Sequence, residues 1–403
     1  MAIQTFVADT ILTAAQMNAL QGNDYNQTVS AKTASYTLVA ADKGTRITMN
    51  SASATTITVN TSLFSAGDTL FIGPNLGVGV CTIAAGTATV STSGSLALAQ
   101  NGGGTLYFTS AGVATFFSGA AAASGSTIDF LVVAGGGGGG IRGGGGAGGY
   151  RSSVTATGGG GTLETSVTYV AGTFELVSIG AGGTGGTNTG VSDTVPTNGN
   201  ASGFSNRTSS AGGRGASDSN ASNNAGNGGS GGGASATSGG PATAGTGTAN
   251  QGFAGGTTTN GSGGAGGGGA GAAGGAGAAN TGGAGGAGVA NSITGSSVTY
   301  GGGAGGGGNT TGGAGGSGGG AAGVASNISP NAGSANTGGG GGGGSGTNAG
   351  LRSGSGGSGV VILRYVDSLT ITFGTGVTGT ESASSGGFKR ATITAGSGVV
   401  SWA

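Results

Sequence analysis

The residue types that carry most protein chemistry are nearly absent from this chain. It has no His and a single Cys, Cys81. That removes the commonest general base near neutral pH, the usual zinc and haem ligands, and any internal disulfide. The only lysines are Lys32, Lys43 and Lys389, and none closes a G-x-x-x-x-G-K-[ST] phosphate loop. Matches to G-x-G-x-x-G are frequent, but in so glycine-dense a chain they arise by chance, and none opens an amphipathic helix after a strand. Asp129, Glu164, Glu175, Asp193, Asp218, Asp367 and Glu381 show neither a diagnostic pair for glycoside cleavage nor a calcium-binding nonapeptide repeat. Cys81, within Val80-Cys81-Thr82-Ile83, reads as a small buried apolar residue. The expectation is a non-enzyme with no cofactor and no metal.

Composition narrows the partners. Charged residues are 5% of 403, and 11 basic side chains balance 11 acidic ones, against about 25% charged residues in an ordinary soluble domain. A neutral chain has no electrostatic footprint for nucleic acid. The N-terminus, Met1 to Phe6, shows no basic segment leading into an apolar core, and nowhere do 18 apolar residues run together. Neither Sec export nor membrane insertion is expected.

Glycine lays out the domains. Of 108 Gly, 14 fall in residues 1–127, 87 in 128–366 and 7 in 367–403. Residues 1–30 carry a short helix signal: Thr13 and Gln16 have capping-box spacing, and Leu12, Met17 and Leu20 share a face before Gly22. That helix is either a strut on the next domain or a peg into a larger assembly. Residues 31–118 read as one all-β domain, a sandwich or barrel. Its segments Tyr36-Thr37-Leu38-Val39, Thr56-Ile57-Thr58-Val59, Thr69-Leu70-Phe71-Ile72 and Thr105-Leu106-Tyr107-Phe108 are β-branched and aromatic, and the turn spacing suits antiparallel pairing. A linker, 119–127, follows.

The glycine-rich region 128–366 is bracketed by two continuous apolar runs, Phe130-Leu131-Val132-Val133-Ala134 and Val360-Val361-Ile362-Leu363. Such runs need cover on both faces, and pairing them side by side makes the chain leave and return at one place. Ser166–Val170 and Phe174–Ile179, joined by Ala171-Gly172-Thr173, have hairpin form. Residues 367–403 alternate polar and apolar side chains and read as a small separate β domain ending in Trp402.

Ordering one backbone residue costs about 1–2 kcal/mol, and glycine sits at the costly end. With no side chains to bury, the region is either a flexible tether or a lattice of extended threefold helices whose outward N–H and C=O groups saturate one another. Collagen is excluded, since the three-residue frame breaks at Ala270 and only Pro196, Pro241 and Pro330 occur there. The absence of Lys and the scarcity of charge favour the lattice. Such packing requires Gly wherever helices touch and admits Ala, Ser, Thr or Asn on outer faces. The fold expected is therefore mainly β and irregular: a short N-terminal helix, an all-β sandwich or barrel, a polyglycine-II lattice closed by two strands, and a small C-terminal β domain.

Phe130 to Ala134 with its glycine run, Gly145-Gly146-Ala147-Gly148-Gly149-Tyr150-Arg151, and Gly356 to Tyr365 resemble the glycine-rich domain of bacteriophage tail-fibre and tail-tip adhesin proteins. Residues 9–49, with Leu12 to Leu20 and Ser35 to Thr45, resemble the virion-proximal part of phage tail proteins. The resemblance implies a polyglycine-II sandwich whose distal loops contact a host surface receptor, an N-terminal region meeting other virion tail proteins, a homotrimer, and a place in the virion tail after synthesis in the host cytoplasm. A purely structural filament and a polysaccharide-cleaving tail enzyme are the alternatives.

Receptor contacts are sought where glycine thins and larger side chains appear: Thr187 to Ser210 with Phe204 and Arg207, Asn250 to Asn260 with Phe253, Ala290 to Tyr300, and Trp402 at the end. Each has a structural alternative. The aromatic side chains could wedge against the lattice or pack at a sheet, and Arg142, Arg151, Arg214 and Arg352 could cap loose carbonyls where glycine helices turn. Amide hydrogen exchange over residues 180–350 separates lattice from tether: protected amides are the expected result, and uniformly fast exchange would leave only a tether.

Overall fold

The computed structural model describes residues 28–118 except 93, and 126–403 except 171–172, 190–193, 219–223, 238–239, 242, 259–260, 326–327, 347–349 and 351. The expected N-terminal helix lies outside these residues. Contacts divide the chain into two compact units, Met1–Gly125 and Ser126–Ala403.

In the first unit the chain steps back and forth between two sheets. Val29–Lys32, Arg46–Met49 and Thr69–Asn75 lie in one; Tyr36–Thr37, Thr55–Val59 and Cys81–Ala85 lie in the other. Neighbours within a sheet are therefore one coil apart, and these strands pair in parallel, Arg46 beside Phe71 and Thr55 beside Cys81. This corrects the antiparallel expectation. Alternating apolar residues specify a buried face but not strand direction, and a coil needs no helix to bring the next parallel strand alongside. Among the described residues of this unit, antiparallel pairing is confined to Gly104–Ser110, with its partners Thr69–Asn75 and Val113–Ser118, and to the short pair Cys81–Leu98 and Thr82–Ala97. Leu38, Ile47, Ile57, Leu70, Ile83, Leu106, Phe108 and Phe116 fill the space between the sheets. At one corner Gly77 and Gly79 press on Ser51 and Ser53 of the coil before, where a Cβ would overlap a carbonyl oxygen. Buried Asn75 donates to the Gly79 and Leu98 carbonyls at 2.8 and 2.9 Å, satisfying the corner from inside.

The second unit is built on an antiparallel sheet. Ser126–Val133 pairs with Val360–Val366, Asp129 opposite Arg364 and Val133 opposite Val360, so the two apolar runs do lie side by side. One end of this pairing is fixed by Arg364 Nη2 on Asp129 Oδ2 at 2.6 Å. Both faces are covered: Phe130, Val132, Tyr169, Val177, Phe204, Leu363, Tyr365 and Trp402 pack on one, Leu131, Val133, Tyr150, Ile293, Tyr300, Val360 and Ile362 on the other. Two expectations change here. Val167–Tyr169 and Glu175–Ser178 do not pair with each other; the first joins Ser126–Ile128 and the second joins the long last strand. That strand, Phe388–Trp402, also pairs with Val360–Val366, so residues 367–403 belong to the base sheet of the glycine-rich unit. Its alternation fitted a separate β domain equally well, because sequence does not say which edge is free.

Beyond the sheet the glycine segments run out and back as extended chains bonded only to neighbours. Residues 135–140 show the rule. Their six N–H groups donate, in turn, to the carbonyls of Asn200, Gly357, Gly146, Thr197, Gly354 and Gly143 at 2.8–3.0 Å. Their six carbonyls accept from Gly212, Gly183, Gly341, Gly215, Gly186 and Gly344 at 2.8–3.0 Å. Every third residue returns to the same neighbour, which is the signature of a threefold helix. This helix thus has six neighbours, three antiparallel ones accepting from it and three parallel ones donating to it. Residues 143–148, 264–269 and 302–307 return to their neighbours at the same interval of three, with a different mix of parallel and antiparallel neighbours. A Cβ on Gly135 through Gly140 would overlap a backbone carbonyl of the next chain, so contact distance itself excludes side chains.

The rule for alanine is looser than expected. Ala147, Ala216, Ala234, Ala265 and Ala304 are fully buried within the lattice, so a methyl is tolerated at particular interior positions. Larger polar side chains work at the lattice edge, where they replace a missing neighbour. Thr197 Oγ1 accepts from Thr184 N at 2.9 Å, Asn198 Oδ1 from Arg214 N at 2.8 Å and Asn227 Oδ1 from Thr246 N at 2.8 Å.

Two outcomes follow. Gly138→Val is expected to cost about 3 kcal/mol or more, read as a fall in the denaturation midpoint, whereas Ala265→Gly costs about 1 kcal/mol; equal effects would remove close packing as the constraint. Burial pushes the Cys81 thiol above its ordinary range, with a smaller opposing effect of Thr55, so native protein at pH 8 should resist thiol reagents and react on unfolding.

Candidate recognition surface

The lattice has two unlike ends. Strand Ser126–Val133 feeds residues 135–140 outward, the chain reverses at Ile141-Arg142, and 143–148 lead back to strand Tyr150–Ser152. Because 183–186, 212–215 and 341–344 run parallel to 135–140, their turns fall at the same far end. Isolated bridges knit these turns: Ile141 with Gly344, Arg142 with Ser217, Thr187 with Thr194 and Arg352, Thr281 with Thr311. The far end is rich in hydroxyl and amide groups. Thr194, Asn280, Thr281, Thr310, Thr311 and Arg352 are exposed there.

These turns are held by their own polar groups. The Asn280 carbonyl accepts from Asn309 N, Thr310 N and Thr310 Oγ1, each at 3.0 Å, and Asn309 Nδ2 donates to Asn280 Oδ1 at 3.2 Å. Thr194 Oγ1 accepts from Thr187 N at 2.7 Å. One side chain here is both charged and buried. Arg142 is 6% exposed and sits at φ 87°, a left-handed conformation costing about 1–3 kcal/mol outside glycine. Its guanidinium is ion-paired with Asp218, donates to the Ser262 carbonyl, and reaches Asn309 Oδ1 at 3.2 Å.

None of the five residues proposed as receptor contacts lies at this far end. Phe204 is fully buried in the base sheet, its ring centroid 6.4 Å from those of Phe130 and Trp402. Trp402 is 3% exposed and packs edge-on to Tyr169 at 4.8 Å and Tyr365 at 5.6 Å. Tyr300 is buried on the other face of the sheet with Tyr150 and Ile293. Arg207 lies 3.3 Å from Glu164, which also takes Arg151 at 2.6 Å. Phe253 is half-buried, its backbone bonded into the lattice through Gly269 and Gly231. Large side chains leave the lattice at either end, and the sheet end needed them for its core. The carbonyl-capping reading holds for Arg142; Arg151 Nη1 donates to Thr208 O at 3.1 Å, a carbonyl of a base-sheet strand and not of a glycine turn. The far-end residues could have been sought where Asn and Thr interrupt glycine in pairs, as in Asn280-Thr281 and Asn309-Thr310-Thr311.

Several ionisable groups are paired within the fold. Asp129, Glu164, Asp218 and Glu381 each face a cation. The Tyr365 hydroxyl is pushed well above its ordinary pKa, first by burial and then by its bond to Glu381 at 2.7 Å. Among the described residues no group of three or more His, Cys, Asp or Glu could hold a metal ion, and no helix is long and apolar enough to cross a membrane.

A family profile described as a glycine-rich domain matches residues 109–366. No curated protein and no solved structure matches the chain. Replacing Trp402 by Ala is expected to destabilise the base sheet by about 3–5 kcal/mol; a variant as stable as the parent in urea unfolding would return Trp402 to the surface as a contact residue.

Proposed function

This chain belongs to the glycine-rich domain family, and from that premise we propose that it is a non-enzymatic recognition protein of a phage virion, a tail-fibre or tail-tip adhesin whose far-end turns meet a host surface receptor. The observation that supports this reading is the asymmetry of the lattice: its near end is fused to an apolar sheet, and its far end presents closely held Thr and Asn side chains. A rigid base under a polar surface limits the ordering cost of binding. The N-terminal region is the part directed to other tail proteins, and the working unit is a homotrimer.

Retention of purified protein on intact cells from a bacterial panel tests this. Saturable binding to a subset is expected, and replacing Asn280, Thr281, Thr310 and Thr311 together by Ala should weaken it at least about tenfold with an unchanged circular dichroism spectrum. No saturable binding to any strain would leave a filament without a receptor, and reducing ends released from surface glycans would make it an enzyme. Sedimentation equilibrium should give three times the 36.2 kDa chain mass; a single-chain mass would remove the trimer.

A further inference from the structure

We infer that Arg142 is a positioning residue of the far end, a side chain that locks several separate turns into a single surface; this rests on the recognition reading of that end. The residue stands at the tip of the innermost out-and-back pair, with only Ile141 and itself between residues 140 and 143. From there it reaches turns that are remote in sequence. Its guanidinium takes the Asp218 carboxylate, the Ser262 carbonyl and the Asn309 amide oxygen. Its backbone donates to Gly344 O at 2.8 Å and accepts from Gly307 N at 2.6 Å. A Cβ on Gly346 would fall within 3.1 Å of the guanidinium, so that turn lies directly against it. Asp218 is held in place in turn by Ser235 Oγ at 3.4 Å, and the adjoining Ser217 Oγ accepts from Ile141 N at 3.1 Å.

Two features set Arg142 apart from an ordinary lattice residue. Glycine would adopt its left-handed backbone without strain, yet arginine stands there. A buried charge is also unfavourable unless fully paired, and here it is paired with groups drawn from three different turns. A guanidinium suits that task because its donors diverge in a fixed plane and it keeps its charge at any working pH. The lattice helices are already saturated by their neighbours, so the stabilisation by Arg142 goes to the turns.

Hydrogen exchange by mass spectrometry on the full chain tests the assignment. Arg142→Ala is expected to accelerate exchange at residues 217–218, 262–264, 307–309 and 343–346 on the order of 100-fold, leaving 126–133 and 360–366 protected. Asp218→Asn should do so less strongly at the same places, and Arg142→Lys should restore part of the protection. Acceleration confined to 141–143, or unchanged exchange in all three variants, overturns the inference. Spread of exchange into the base sheet also overturns it, because Arg142 would then support the whole fold. Binding to the bacterial panel is a separate readout: loosened turns with undiminished binding would keep the positioning role and sink the recognition reading, while protected turns sink the positioning role whatever the binding.

Discussion

Everything in the glycine-rich unit depends on main-chain polar groups finding partners without help from side chains. An extended threefold helix makes no bonds within itself, so a single segment such as 135–140 is worth nothing alone. Six neighbours are needed before each N–H and each C=O is satisfied. One hydrogen bond per residue contributes about 1 kcal/mol net, no more than the ordering cost of that residue. The margin comes from the closeness of the chains, where many weak dispersion contacts add up. Glycine is thus required by distance as much as by flexibility, and buried alanines such as Ala265 and Ala304 mark the few places where the spacing relaxes by a methyl.

The base sheet answers the problem a lattice cannot solve, which is registration. Identical glycine chains could slide past one another in steps of three residues with little change in bonding. Pairing of Ser126–Val133 with Val360–Val366, fixed by Asp129 and Arg364 at one end and by two apolar faces, sets where the first outward helix begins and the last one returns. The long strand Phe388–Trp402 then carries the same frame to Glu175–Ser178.

Much of this was legible from residue types. Glycine density marked the lattice, and the two apolar runs marked its foot, because both follow from local composition. Strand direction in the first unit was not legible, since Ile57 and Ile83 alternate with threonine alike in parallel and antiparallel sheets. The separate C-terminal domain and the 166–179 hairpin failed for a related reason: Leu176 and Val399 carry no mark of their partner. Three of the five residues sought as contacts, Phe204, Tyr300 and Trp402, are buried, because size was equated with exposure. Phe204, Tyr300 and Trp402 are large because the sheet needs a core, whereas the far-end turns are made of small polar residues that a search for bulk passes over.

The asparagine and threonine side chains along the flank of the lattice have an effect on the molecule's surroundings. Thr197, Asn198 and Asn227 close off main-chain donors that would otherwise sit open on the outermost chains. An open flank would invite further glycine strands from any neighbouring copy, and the slab would grow sideways into an aggregate. A residue that bends back onto its own array acts as a selvedge, and it gives a self-adhesive fabric a finished edge.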